Sequence, residues 1–309
     1  MLASVFNKSR PINYVLISAA LVLFYFLYLF KDSAWTEDYL QILEKSGLFL
    51  MLGGSLFLVN FITKRNTLTK NNTYAMFLLM VFFVLFPTTL ININIIVSSF
   101  FILLALRRLI SLQSLITPKE KIFDASFWIF AAALFHFWSI MYIVLVFVSI
   151  VFHVARDYRN WIIPFIAFMA VTVIYTMFIM MSGKDFIDEL TRGVGISFDF
   201  TYFENIYQNI ALAVYSSIAV LFASTQTVTV TSRPLNLQSS YKKVIFSFFI
   251  GVAIYVLSDH KNNSFLAFTF APLAILGANY LESQENKWFR EGLLTLFVAI
   301  AVFLFISQL

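Results

Sequence analysis

The chain has 309 residues, 61% hydrophobic and only 12% charged, against about 45–50% and about 25% for a soluble domain, which makes it an all-α polytopic membrane protein with no room for a globular enzyme domain. The absence of cysteine excludes disulfides, thiol catalysis, iron–sulfur clusters and cysteine-ligated zinc, and three histidines (His136, His153, His260) leave little for a metal centre, so no metal or other cofactor is expected. The net charge of +5 is first a matter of membrane side, and no nucleic-acid partner follows from it.

Eleven apolar stretches are expected to be helices: 11–30, 42–63, 73–87, 91–106, 122–137, 138–154, 161–181, 206–224, 243–258, 264–281 and 292–308. The first, with Lys8 and Arg10 ahead of it, is too long for a signal-peptide core and has no small-residue cleavage pattern, so it reads as an anchor helix. Segments 73–106 and 122–154 would each reach about 50 Å as one helix, well past the roughly 30 Å hydrocarbon core, so each is expected to fold back as a hairpin. Pro87-Thr-Thr with Asn92 and Asn94 breaks the first. The second break falls around Phe135-His-Phe-Trp-Ser139, which has neither proline nor glycine. Gly53 and Gly54 predict a close helix approach, and no internal repeat suggests an inverted-repeat transporter.

Charge sets the orientation, because Lys and Arg stay on the cytoplasmic side in short loops. With eleven spans and the N-terminus inside, the inner segments hold sixteen basic and six acidic residues, the outer ones five basic and ten acidic. That leaves +10 inside and −5 outside. Arg107-Arg108 and Lys242-Lys243 are read chiefly as topology signals, with anionic lipid head groups as a further contact.

Two outer connections, 31–41 and 182–205, are long and acidic. The first carries Asp32, Glu37, Asp38 and Glu44, with Trp35, Tyr39, Ile42 and Leu43 on one helical face. The second contains Asp185-Phe-Ile-Asp-Glu-Leu-Thr-Arg192, whose Phe186, Ile187 and Leu190 share a face, so it reads as a short interfacial helix. These acids are the expected filling of any outer loop poor in Lys and Arg, or a site in which one carboxylate is a general base and a polar group from the other loop positions a charged substrate. Adjacent Glu37 and Asp38 point to different sides of a helix, so at most one faces a given cavity.

The acidic amphipathic first outer loop, the tight early hairpins and the second long outer loop together resemble the GT-C superfamily of membrane glycosyltransferases in topology, over about residues 1–224, with extra helices at 225–309. The loosely matched acidic pair is Glu37-Asp38. The resemblance implies a polyprenyl-phosphate-linked sugar donor at the outer leaflet, Asp32, Glu37 and Asp38 as candidate catalytic carboxylates, and Arg192, His260 and His136 as candidate substrate contacts. Lys8-Ser-Arg-Pro-Ile-Asn-Tyr14 and Arg156-Asp-Tyr-Arg-Asn-Trp-Ile-Ile-Pro164 also resemble a whole-chain family of Bacteroidota inner-membrane proteins that brings no established activity. The Phe, Ile, Lys and Asn bias, with 38 Phe, suits an AT-rich bacterial genome.

His153 sits at an inner helix end and cannot converge with His136 and His260, so it reads as an ordinary interfacial residue. No charge lies near the middle of an assigned span, which disfavours an ion pump. Three functions stay open for one transmembrane domain, 1–309, in a bacterial cytoplasmic membrane: a lipid-linked-sugar transferase, a non-catalytic subunit of an envelope or secretion complex bound to another membrane protein, and a transporter or flippase. Membrane lipids are expected around all three.

Overall fold

The computed structural model describes residues 2–31, 39–182, 194–198, 205–259 and 261–309. Among these, twelve α-helices run α1 (Leu2–Phe6), α2 (Pro11–Leu29), α3 (Tyr39–Arg65), α4 (Tyr74–Leu85), α5 (Ile93–Ser111), α6 (Pro118–Phe135), α7 (Ile143–His153), α8 (Arg159–Ser182), α9 (Ile206–Thr229), α10 (Leu235–Leu257), α11 (Ala267–Ser283) and α12 (Lys287–Gln308). Each of the eleven expected stretches coincides with one of α2 to α12. Eight helices are long and apolar enough to cross a membrane. The three that fall short are α4 and α7, 12 and 11 residues long, and α6, whose first two turns carry Lys119, Glu120, Lys121 and Asp124.

Local sequence accounts for the helix starts. Pro11 and Pro118 open α2 and α6 at positions where no backbone donor is needed. Asn92, Asn205 and Asn286 cap α5, α9 and α12, each side chain accepting a first-turn N–H. The break between α4 and α5 falls at Pro87, through a 3-10 turn over Pro87–Ile91. The break after α6 falls at His136, in extended backbone, followed by a 3-10 stretch over Phe137–Tyr142. There the Ser98 hydroxyl donates to the Ala132 carbonyl at 3.0 Å and lies 2.6 Å from Ser139 Oγ, so a neighbouring helix supplies the hydrogen bonds that proline or glycine would have made unnecessary. The first outer connection is shorter than expected, since α3 already begins at Tyr39. Its 27 residues span about 40 Å and carry Tyr39, Leu40 and Leu43 exposed beyond the bundle.

The centre is α4 packed on α11. Every side chain of α4 is buried, and so is 94% of the apolar stretch containing α11. Around the pair stand α2, α3, α5, α9, α10 and α12; α6 packs on α5, and α8 lies outside α6. Only 22% of α8 is buried, because it has a neighbour on one side alone. At the C-terminal end of α4, Phe82, Phe86 just beyond it, Tyr215 of α9 and Phe270 of α11 meet with ring centroids 5.2–5.7 Å apart, in edge-on, tilted and stacked pairs that favour ring quadrupoles. The fully buried Tyr142 hydroxyl reaches the backbone carbonyls of Ser247 and Phe268, at 3.1 and 3.0 Å.

Close approach is set by glycine. A Cβ on Gly277 of α11 would stand 2.5 Å from Phe222 of α9 and 2.8 Å from Leu78 of α4, and one on Gly251 of α10 would stand 3.0 Å from the Phe268 backbone. Gly54 admits Phe100 of α5 in the same way, with a Cβ contact of 3.1 Å, as the Gly53-Gly54 pair led us to expect. Gly251→Val should cost about 1–3 kcal/mol by overpacking and lower the unfolding temperature in detergent. Gly292→Ala, whose added Cβ meets nothing within 4 Å, should leave it unchanged. Equal stability of the two variants would contradict this packing.

Candidate functional site

The connections between helices gather at two ends. At one end Ala3 and Ser4 donate backbone N–H to Glu291 (2.8 Å each), Lys70 donates its backbone N–H to Glu282 (2.9 Å), Lys64 bonds Ser9 and Tyr14, the Tyr241 hydroxyl donates to Leu68 O (2.6 Å), and Gln113 donates to Asn236 O (2.6 Å). At the other, Lys31 donates to Gln308 O (3.2 Å), Asn92 to Ser264 Oγ (3.0 Å) and Asn263 to Gln208 O (3.2 Å). Successive connections alternate between these ends. The first is the basic end of the charge count; the second carries the roots of both long acidic connections.

Of the residues proposed for chemistry, Asp32, Glu37, Asp38, Arg192 and His260 lie outside the described residues, as does the expected interfacial helix at 185–192. His136 is described. Its Nε2 lies 3.1 Å from Ser258 Oγ, and its ring packs on Phe265 and Phe268 at 4.9 and 5.4 Å. Ser258 is fully buried and its hydroxyl donates to Ile254 O at 2.7 Å. The pair is therefore a clamp on the end of α10, since a nucleophilic serine needs an open approach.

Beside the clamp, residues 194–198 of the second long connection are tied to the connection between α10 and α11. Trp138 Nε1 donates to Gly195 O (3.2 Å), Ser197 N to Leu257 O (3.4 Å), Lys261 Nζ to Ser197 O, and Ile196 pairs antiparallel with Ser258. A Cβ on Gly195 would stand 2.6 Å from Asp259 Oδ2 and 3.1 Å from its Cβ, so a side chain there displaces the Asp259 carboxylate. His136 thus touches the chain before and after residue 260, at Ser258 and Phe265. Gly195→Val should push this strap from Asp259 and make the α8–α9 connection several-fold more sensitive to limited proteolysis, and Asp259→Ala should restore protection. Wild-type protection of the single variant would count against the contact.

Below this end an apolar groove of about 370 Å³ runs between α9 and α12, lined by Ala213, Ser217 and Leu221 on one side and Leu293, Leu296 and Ile300 on the other. It opens on the flank of the bundle. The lining stops at Ala213 and Ile300, about 10–12 Å short of the helix ends, and the two helices run on towards the acidic connections: α9 begins after Asn205, and α12 ends at Gln308, which Lys31 bonds.

The basic end holds what the sequence did not signal. Lys243 is fully buried, donating to Leu109 O at 2.5 Å and lying 3.1 Å from His153 Nε2. To their places at the basic end Lys243 and His153 thus add a specific tertiary contact, because α10 crosses the C-terminal end of α5 and brings the ammonium onto its last-turn carbonyls. Lys121 of α6 serves the same end through Ser111 O at 2.8 Å. Arg108 pairs with Asp124 at 2.7 Å and Lys119 with Asp157 at 3.3 Å. The Asp157 carboxyl is held below the usual range by the Arg159 backbone N–H and then by Lys119. Among the described residues no group of three or more histidines and carboxylates is arranged to hold a metal.

Over residues 9–309 the sequence matches a family described as one of unknown function (DUF6427), and the chain belongs to it. This agrees with the whole-chain resemblance to a membrane family without an established activity. No curated protein and no solved structure matches the chain.

Proposed function

We propose that this member of the DUF6427 family is a transferase of the GT-C kind, using a polyprenyl-phosphate-linked sugar at the end that carries the acidic connections, and that this end faces outward from a bacterial cytoplasmic membrane with the basic end inside. The observation that carries the reading is the groove between α9 and α12. An isoprenoid chain is a long apolar ligand that enters from the bilayer, so its site must open sideways and be apolar along its length. Its phosphate must then emerge where cations and a base are at hand, and the two helices that wall the groove continue beyond it to the roots of both acidic connections.

In this reading Asp32, Glu37 or Asp38 takes the proton from the acceptor hydroxyl, for which a carboxylate must come within about 3 Å. The freed oxygen attacks the anomeric carbon of the sugar. As that bond forms, the bond from the anomeric carbon to the phosphate oxygen breaks, and its electron pair leaves with the polyprenyl phosphate. Arg192, and with it His260, holds the departing phosphate, guanidinium meeting phosphate oxygens in a bidentate fork. His136 acts as a positioning residue, through the Ser258–Asp259 connection that it clamps.

Three measurements test this. Asp32→Asn, Glu37→Gln and Asp38→Asn remove charge and keep shape, so at least one should abolish an envelope or growth phenotype that the wild-type gene rescues, with the protein still inserted. A triple variant that complements fully would end the transferase reading. Ser217→Trp, which fills the groove, should impair the same phenotype without lowering protein level. For orientation, Ser114→Cys in this cysteine-free chain should resist a membrane-impermeant thiol reagent applied from the periplasm, and labelling would reverse the assignment.

A second reading, as a subunit without catalysis, draws on the outermost helix. α8 exposes Phe165, Met169, Ile174, Met177 and Phe178 along its length, and large flexible apolar side chains seat partners as well as lipid. Recovery of one membrane protein in stoichiometric amount with the tagged chain, from mild detergent at native expression, would favour it. Recovery of the chain alone would count against it.

A further inference from the structure

The geometry points to a second site, at the basic end, that binds a phosphate-type anion between α3 and α5. A cavity of about 540 Å³ opens there, formed by the last turn of α3, the last turns of α5, the connection from α5 to α6 and Lys121. Four cations line it: Arg65, Arg107, Arg108 and Lys121. Among the described residues one carboxylate, Asp124, pairs with any of them, and it is engaged by Arg108. Lys121 places two of its three N–H groups on Ser111 O and Ser114 Oγ, at 2.8 and 2.7 Å. The hydroxyls around the cavity are engaged, Ser111, Ser114 and Thr67 donating to backbone carbonyls of their own turns, and Asn66 and Gln113 each place one of two amide N–H groups, on Ile62 O and Asn236 O.

The cations of the cavity that neither pair with a carboxylate among the described residues nor hold a backbone carbonyl are Arg65 and Arg107, and their guanidinium groups are what it offers a ligand first. Arg107 is already oriented, its guanidinium carbon 4.9 Å from the centre of the Phe61 ring, and stacking of this kind leaves the in-plane N–H groups free to donate. Planar, doubly donating cations without a carboxylate partner select an anion with two or more oxygens on one centre, and phosphate fits this best. A neutral or cationic ligand would leave the cluster's repulsion in place.

The frame is also built. Among the described residues, the three non-glycine residues with left-handed backbone, Thr67, Leu115 and Thr117, at φ 51°, 55° and 44°, all lie in the two connections that border the cavity. Non-glycine residues are held in that region only where the surroundings determine it. The rim is apolar where it meets the flank of the bundle: Phe61 is 44% and Ile116 68% exposed. A free phosphoryl compound uses the arginines alone, whereas an anionic phospholipid uses the arginines with its head and Phe61 and Ile116 with its chains. The rim thus favours the lipid. The site is at the opposite end from the acidic connections and stands independently of the transferase reading.

The test uses the full chain, purified in a nonionic detergent, with thermal unfolding as readout at constant ionic strength. Dihexanoyl phosphatidylglycerol, dihexanoyl phosphatidylcholine and inorganic phosphate are titrated in separate arms. Phosphatidylglycerol should raise the unfolding temperature, phosphatidylcholine should not, and Arg65→Gln with Arg107→Gln should raise the half-maximal concentration about tenfold or more. A response to inorganic phosphate equal to that for phosphatidylglycerol, and lost in the double variant, would assign the site to a soluble phosphoryl compound. Should the double variant fail to fold, Ile116→Glu places a carboxylate on the exposed rim and should weaken the anion response by itself. The site is refuted if the wild type responds to neither anion, if phosphatidylcholine matches phosphatidylglycerol, or if the variants respond as the wild type does.

Discussion

The bundle depends on how closely α11 can be approached. In hydrocarbon, helices gain nothing from hiding apolar surface that lipid would also cover, so packing and small residues must hold them together. Gly277 lets Phe222 and Leu78 close on α11 from two sides, and Gly251 lets α10 lie against the backbone at Phe268. With α11 enclosed, α4 fills the remaining interior and the aromatic cluster of Phe82, Phe86, Tyr215 and Phe270 fixes the spacing of the inner helices. The outer helices can then differ freely, which is why α8 holds to the bundle on one side only.

At the basic end the same problem takes a polar form. Helix ends leave unpaired N–H and C=O groups, and near the membrane water does not satisfy them all. Here long charged side chains do so from a distance in sequence: Glu291 takes the N–H groups of Ala3 and Ser4, Glu282 that of Lys70, and Lys243 and Lys121 cover carbonyls at the end of α5. These contacts tie the chain's beginning to its last helix and α5 to α10. They also explain why Arg65 and Arg107 stand apart: the carboxylates of this end are largely engaged elsewhere, and the surplus of positive charge collects in one cavity.

The two ends therefore offer different chemistry. One has acidic connections above a sideways-opening apolar groove; the other has arginines around a polar cavity with an apolar rim. A chain that handles an amphiphile at one end and is anchored by anionic lipid at the other would use both. Such an anchor holds the bundle's depth and tilt, which set the height of the groove against the bilayer.

Much of the architecture was legible in the sequence. Hydropathy located α2 to α12 because the bilayer demands runs of apolar residues, and Pro87 with Asn92 marked a break because proline and an asparagine cap act within a turn. The division into a basic and an acidic end was legible for the same reason, since charge distribution along the chain survives any packing. The other break, at His136, was placed from length and charge without a local breaker, and the bonds that hold it come from Ser98 and Ser139, which only the packing of α5 against the α6–α7 connection brings together. An all-apolar helix does not say whether it faces lipid or protein, so the central place of α4 and α11 and the outer place of α8 were decided by tertiary contact. So were the burial of Lys243 against Leu109 and the meeting of Arg65 with Arg107, because a charged side chain reads alike in sequence whether it ends in water, on a helix terminus or around a cavity.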